Sequence, residues 1–176
     1  MFLKRLYLLL SLGLLPGGCV PALPPVAFEG GGPEMRPELF FAGVTTSTGV
    51  LENRSGAPTD RLQVRGQGQA LPDGSFRLHQ TITLGQDAPM TRTWIMRRID
   101  AHRYTATLTD ASGTVEGEAH GDLFHLTYAM KTPFAGRMEQ WLYLQPDGRT
   151  VMNVATVSIL GFTVARVSER ITREDR

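Results

Sequence analysis

The sequence is short of several things, and each shortage excludes a class. It has one cysteine, Cys19, in 176 residues, so no disulfide forms within the chain. It has little net charge: 18 basic against 17 acidic residues leave +1. No strong electrostatic attraction to nucleic acid follows from that. Aromatic residues make up 8%, with 2 Trp and 4 Tyr. That is too thin for the paired aromatic girdles of a membrane-spanning barrel. Long apolar runs are also missing. The best one, Leu6 to Leu15, is too short to cross a bilayer core of about 30 Å as a helix. No Gly-x-Ser-x-Gly elbow, phosphate-cradling glycine loop or His-Glu-x-x-His helix occurs, so the motifs imply no cofactor and a chain that is not an enzyme.

What is present begins with an address. Lys4 and Arg5 precede the Leu6–Leu15 run, and Pro16-Gly17-Gly18-Cys19 follows it. A basic start, a short apolar stretch and small residues before a lone cysteine resemble a lipoprotein signal peptide over residues 1–18. The expected lipid site is Cys19. Loss of Lys4 and Arg5 on cleavage would leave 16 basic residues against 17 acids, a formal −1. Val20 stands where an Asp would favour inner-membrane retention. The expected location is therefore the outer membrane, facing the periplasm.

From Val20 to Pro37, proline and glycine dominate without periodicity. This reads as a flexible tether, residues 19–38, of roughly 25 Å reach. Residues 39–173 then change texture. Runs rich in Thr, Val, Ile, Phe and Tyr alternate with turns such as Pro72-Asp73-Gly74, Ser112-Gly113, Gly121-Asp122 and Pro146-Asp147-Gly148. The runs alternate apolar and polar residues, as in Phe76, Leu78, Ile82 and Leu84 against Arg77, His79, Thr81 and Thr83. About ten strands are predicted, near residues 44–54, 60–70, 76–84, 90–100, 104–109, 114–120, 123–131, 137–145, 150–159 and 162–172. One dry face and no intervening helix predict an all-β, antiparallel, up-and-down barrel of about eight to ten strands. Such a barrel is about wide enough for one small ligand.

Several motifs stand in order along this region: Arg92-Thr93-Trp94, Gly117-Glu118-Ala119-His120-Gly121, Tyr128, Trp141-Leu142-Tyr143, Asp147-Gly148, Asn153 and Leu160-Gly161-Phe162. Together they resemble a bacterial lipoprotein family designated domain of unknown function 3833, across roughly residues 40–171. The sequence departs from that family's pattern at Glu139-Gln140, at Val154-Ala155 and at Gln80. The resemblance implies a lipocalin-like (calycin) barrel and a lipoprotein, and it implies no chemistry.

Candidate ligand contacts are Arg92, Trp94, Met96, Tyr128, Trp141, Tyr143 and Asn153. Arg92, Trp94 and Met96 share a strand face. They read either as a guanidinium–indole plug or as a cationic contact for an acidic head group with an apolar path behind it. Glu139, Trp141 and Tyr143 share another face, where Glu139 is a candidate counter-ion for Arg92. Asn153 either binds ligand or ties down a neighbouring strand. Gly117, Gly121 and Gly161 read as bends or turns. His120 and His125 with Glu118 make an unspecific zinc pattern, so no metal site is assigned. The functional expectation is a membrane-anchored lipoprotein that binds a fatty-acyl or similar amphiphile. The alternative is an envelope scaffold with a filled barrel and a protein partner.

Overall fold

In a computed structural model of the chain, which describes residues 21–131 and 136–174, ten antiparallel strands close into one barrel. They are β1 (Gly43–Asn53), β2 (Pro58–Ala70), β3 (Phe76–Leu84), β4 (Met90–Arg98) and β5 (Arg103–Leu108), then β6 (Ala111–His120), β7 (Leu123–Met130), β8 (Arg137–Leu144), β9 (Thr150–Ile159) and β10 (Phe162–Arg173). Each strand pairs with its neighbour in sequence, and β1 pairs with β10. Closure leaves no unpaired sheet edge. The signal segment and Cys19 lie outside the described residues.

Period-2 alternation sends one face of each strand inward. In β7, Phe124, Leu126 and Tyr128 are buried in the core, as are Met138, Leu142 and Leu144 of β8. The hairpin turns are built from side chains that bond their own loops. Asp147 Oδ1 accepts the amide N–H groups of Arg149 and Thr150, and Oδ2 accepts the Thr150 hydroxyl. Asp73 and Asp100 do the same in the β2–β3 and β4–β5 turns. These bonds hold all three carboxyls below the ordinary carboxylate range.

The tether expected from Val20 to Pro37 is corrected by the structure. Pro25–Phe28 forms one 3-10 turn and Pro37–Phe40 one α-helical turn, α1. Proline near the start of each turn pre-sets φ. Met35 is 0% exposed, and Phe40 and Phe41 are buried in the core. The Met35 amide donates to the Gly121 carbonyl at 2.6 Å, and the Tyr104 hydroxyl donates to Glu38 at 3.1 Å. Residues 25–41 are thus a strap seated on one end of the barrel. Apolar side chains hidden in a Pro/Gly-rich stretch find their partners only once that end exists.

Candidate functional site

A cavity of about 300 Å³ lies inside the barrel. Near the strap it is bounded by Phe41, Phe124 and Ile171; at the other end by Leu51, Leu84 and Met90. The lining is mainly apolar. At that second end Met90, Leu160 and Phe162 are 57%, 85% and 76% exposed, which makes an apolar rim.

β4 supplies one wall. Met90, Arg92, Trp94 and Met96 all face the cavity, as their shared strand face predicts. Trp94 is fixed twice: its indole N–H donates to Gln80 Oε1 at 2.8 Å, and its ring meets Tyr128 edge-on at 5.6 Å. Arg92 sits two residues in from the rim. Its Nη2 is 3.5 Å from Asp110 Oδ2, and its Nε has no hydrogen-bond partner. Tyr128 is buried beside this pair. Desolvation is the main reason its phenol is pushed up to about 12; Arg92 opposes the shift and Asp110 adds to it.

The opposite wall holds a small polar group among apolar side chains. Asn153, 3% exposed, donates to Glu169 Oε1 at 2.8 Å. The Ser47 hydroxyl donates to Glu169 Oε2 at 2.7 Å. Asn153 therefore ties β9 to β10, the second of its two expected roles, and it also lines the cavity. Its Oδ1 is buried without a partner. Gln140 lies on the same wall.

Two expected site residues are elsewhere. Trp141 and Tyr143 project from the outer face of β8, because Met138, Gln140 and Leu142 take the inner one. Trp141 stacks on His125 at 3.8 Å, and Tyr143 packs against Phe28 of the strap at 5.8 Å. Glu139 goes with them and bonds His125 Nε2 at 2.9 Å. It is not the counter-ion of Arg92; Asp110 is. Glu169 and Gln80 line the cavity as well, beyond the expected contacts. Gln80 was signalled by alternation, since it falls on the dry face of β3 between Leu78 and Ile82.

His120 and His125 both approach Glu118, each at 3.5 Å, so the carboxylate separates them. His120 keeps different company on the strap side, where it stacks on His102.

The fold has solved counterparts. The chain is similar to an S-type phycobiliprotein lyase, CPES, from Guillardia theta: TM-score 0.61, 12% identity, 81% of this chain and 94% of that one covered. It is also similar to a protein of unknown function from the DUF3598 family of Nostoc punctiforme: TM-score 0.58, 15% identity, 81% of this chain covered. The chain spans 50% of that second protein's length. No curated protein matches the sequence. The likeness to the lyase overturns the expectation of a chain that is not an enzyme. Missing motifs are a poor guide on an architecture that also carries a lyase. The sequence matches one family over residues 16–173, and the chain belongs to it: Protein of unknown function (DUF3833).

Proposed function

We propose that the barrel binds one small amphiphile of the fatty-acyl class, tail inward and acidic head at the rim beside Arg92. The observation that carries this is the cavity itself, with an incompletely paired guanidinium near its rim and Trp94 and Met96 deeper along the same wall. Its volume of about 300 Å³ is at the lower end of ligand pockets, which suits a single chain. The Arg92 guanidinium, held by a 3.5 Å contact to Asp110, offers charge-assisted bonds to a carboxylate or phosphate oxygen once a ligand displaces that contact. A filled scaffold barrel is disfavoured by the same cavity.

In this reading the chain is a periplasmic lipoprotein held at the outer membrane through lipid on Cys19. The lone cysteine after a short apolar run supports that address. Labelled palmitate should enter the wild-type chain and not Cys19→Ala; equal labelling would remove the anchor.

Native mass spectrometry of the full chain, purified from expressing cells, should reveal one bound amphiphile. A fluorescent fatty acid should bind with 1:1 saturation. Arg92→Leu should weaken it by tenfold or more, since bonds to charged groups contribute about 1.5–3 kcal/mol. Ala155→Phe, which projects a ring into the cavity from a 1% exposed position, should abolish binding in a barrel that still melts cooperatively. An empty barrel in every preparation, with no probe binding, would end the proposal.

A further inference from the structure

Outside the strap end of the barrel, three side chains from three separate elements converge. Glu29 ends the 3-10 turn of the strap, His102 sits in the β4–β5 turn, and His120 closes β6. One donor atom from each lies within 4.8 Å of the other two. Among the described residues no other group of His, Cys, Asp and Glu side chains comes together in this way.

One imidazole is already oriented as a ligand. His102 Nδ1 stands 2.9 Å from the Ala119 carbonyl oxygen. A carbonyl can only accept, so Nδ1 carries the proton and the neutral ring keeps its lone pair on Nε2. A backbone carbonyl behind an imidazole is the arrangement that fixes tautomer and ring angle in metal-bound histidines. His120 stacks on His102, centroids 4.5 Å apart and planes 8° from parallel. Parallel rings carry their lone pairs in parallel planes, so one ring must tilt before both can reach a single ion.

Glu29 completes the set. Its Oε1 is 3.0 Å from His120 Nδ1. Donors about 2.0–2.1 Å from a shared tetrahedral ion stand roughly 3.0–3.4 Å apart. The carboxylate and imidazole are thus already close to ligand spacing, and an ion would replace their direct bond from beside it. His102 must tilt out of the stack to join them, and it is exposed enough to do so. Glu118 Oε2, 3.5 Å from His120 Nε2, faces the same ring from its other side.

We propose that Glu29, His102 and His120 bind one divalent transition-metal ion of the zinc class. Two imidazoles and a carboxylate, without thiolate, suit Zn²⁺, Ni²⁺ or Cu²⁺ rather than Ca²⁺ or Mg²⁺. The ion joins the strap to the barrel, because Glu29 belongs to one and the histidines to the other. Occupancy would fasten residues 25–35 in place. The site is independent of the interior cavity and does not rest on the amphiphile reading.

The test uses the full chain and Zn²⁺ alone, by isothermal titration and by equilibrium dialysis with metal analysis. One ion per chain is expected. Glu29→Gln, His102→Ala and His120→Gln should each weaken binding by tenfold or more, while His79→Gln and His125→Gln should leave it unchanged. Saturating Zn²⁺ should also slow glutamyl-endopeptidase cleavage after Glu34 in the wild type and not in Glu29→Gln. Glu29 and His102 are exposed, so their variants keep the barrel, and its circular dichroism checks this. Absence of stoichiometric binding overturns the proposal. So does binding that survives Glu29→Gln and His102→Ala, which would place the ion elsewhere, on Cys19 or on the Glu118–His125 pair.

Discussion

Replacing Gly121 with alanine separates the strap's contribution from ordinary backbone strain. Gly121 has φ +53, and a Cβ there would collide with the Phe28 carbonyl oxygen and lie 3.2 Å from Glu29 Cα. Both obstacles are strap backbone, so the strap must lift. Gly113 is the natural control: φ is +81, and nothing lies within 4 Å of its would-be Cβ. Each substitution incurs the left-handed penalty of about 1–2 kcal/mol. Gly121→Ala also gives up the bond between the Met35 amide and the Gly121 carbonyl, a net loss of about 0.5–1.5 kcal/mol. Exposing Met35, now fully buried, costs about 1.5–3 kcal/mol more. Gly121→Ala should therefore exceed Gly113→Ala by roughly 2–4 kcal/mol in denaturant unfolding. Hydrogen exchange locates the damage. The Met35 amide should lose protection while amides in β7 and β9 keep theirs. Equal destabilisation by the two variants, with Met35 still protected, would refute the idea that Gly121 exists to seat the strap.

Gln80→Leu should leave the Trp94 indole N–H without its acceptor, lowering stability by about 1–3 kcal/mol and shifting tryptophan emission. An unchanged melt and spectrum would count against that bond. Asn153→Ala removes a donor from Glu169 and unties β9 from β10, again a loss of about 1–3 kcal/mol, read as a lower Tm. Acid should destabilise the fold. Asp73, Asp100 and Asp147 have folded-state values below the ordinary 3.8, so their contribution is complete above that value and is lost as pH falls from it through their lower folded-state values. Asp147→Asn should flatten the acid limb of the stability–pH curve; an unaltered limb would show that the turn bonds do not matter. At the alkaline end, Tyr104 and Tyr128 are raised from 10.0 to about 12. Stability should hold below pH 10 and decline above it, and ultraviolet titration should find Tyr104 and Tyr128 ionising last, with Tyr143, raised by burial, also delayed.

The barrel was readable because its evidence is local. Predicted and observed bounds coincide for Phe76–Leu84 and Thr150–Ile159, where turn residues abut both ends. Elsewhere the ends differ by a few residues. β8 misled for a physical reason. Both of its faces carry large apolar groups, since the outer face is covered by Phe28 and His125. Alternation says that Trp141 and Tyr143 share a side, not which side is inside. Glu169 was hidden more deeply. Counting back evenly from the Leu160–Gly161 turn would bring Ser168 opposite Asn153. The register shift between Thr163 and Ala165 adds the one residue that brings Glu169 there instead. A single inserted residue exchanges the faces of everything beyond it. The strap was missed because its burial depends wholly on distant partners.

Ten is an even number, and in an up-and-down barrel parity decides where the polypeptide comes and goes. β1 begins and β10 finishes at the same pole, Thr45 lying opposite Arg173, beneath residues 25–41. A reporter or affinity handle added after β10 would therefore ride on the strap side. The rim of Met90, Leu160 and Phe162, at the other pole, would stay clear of it.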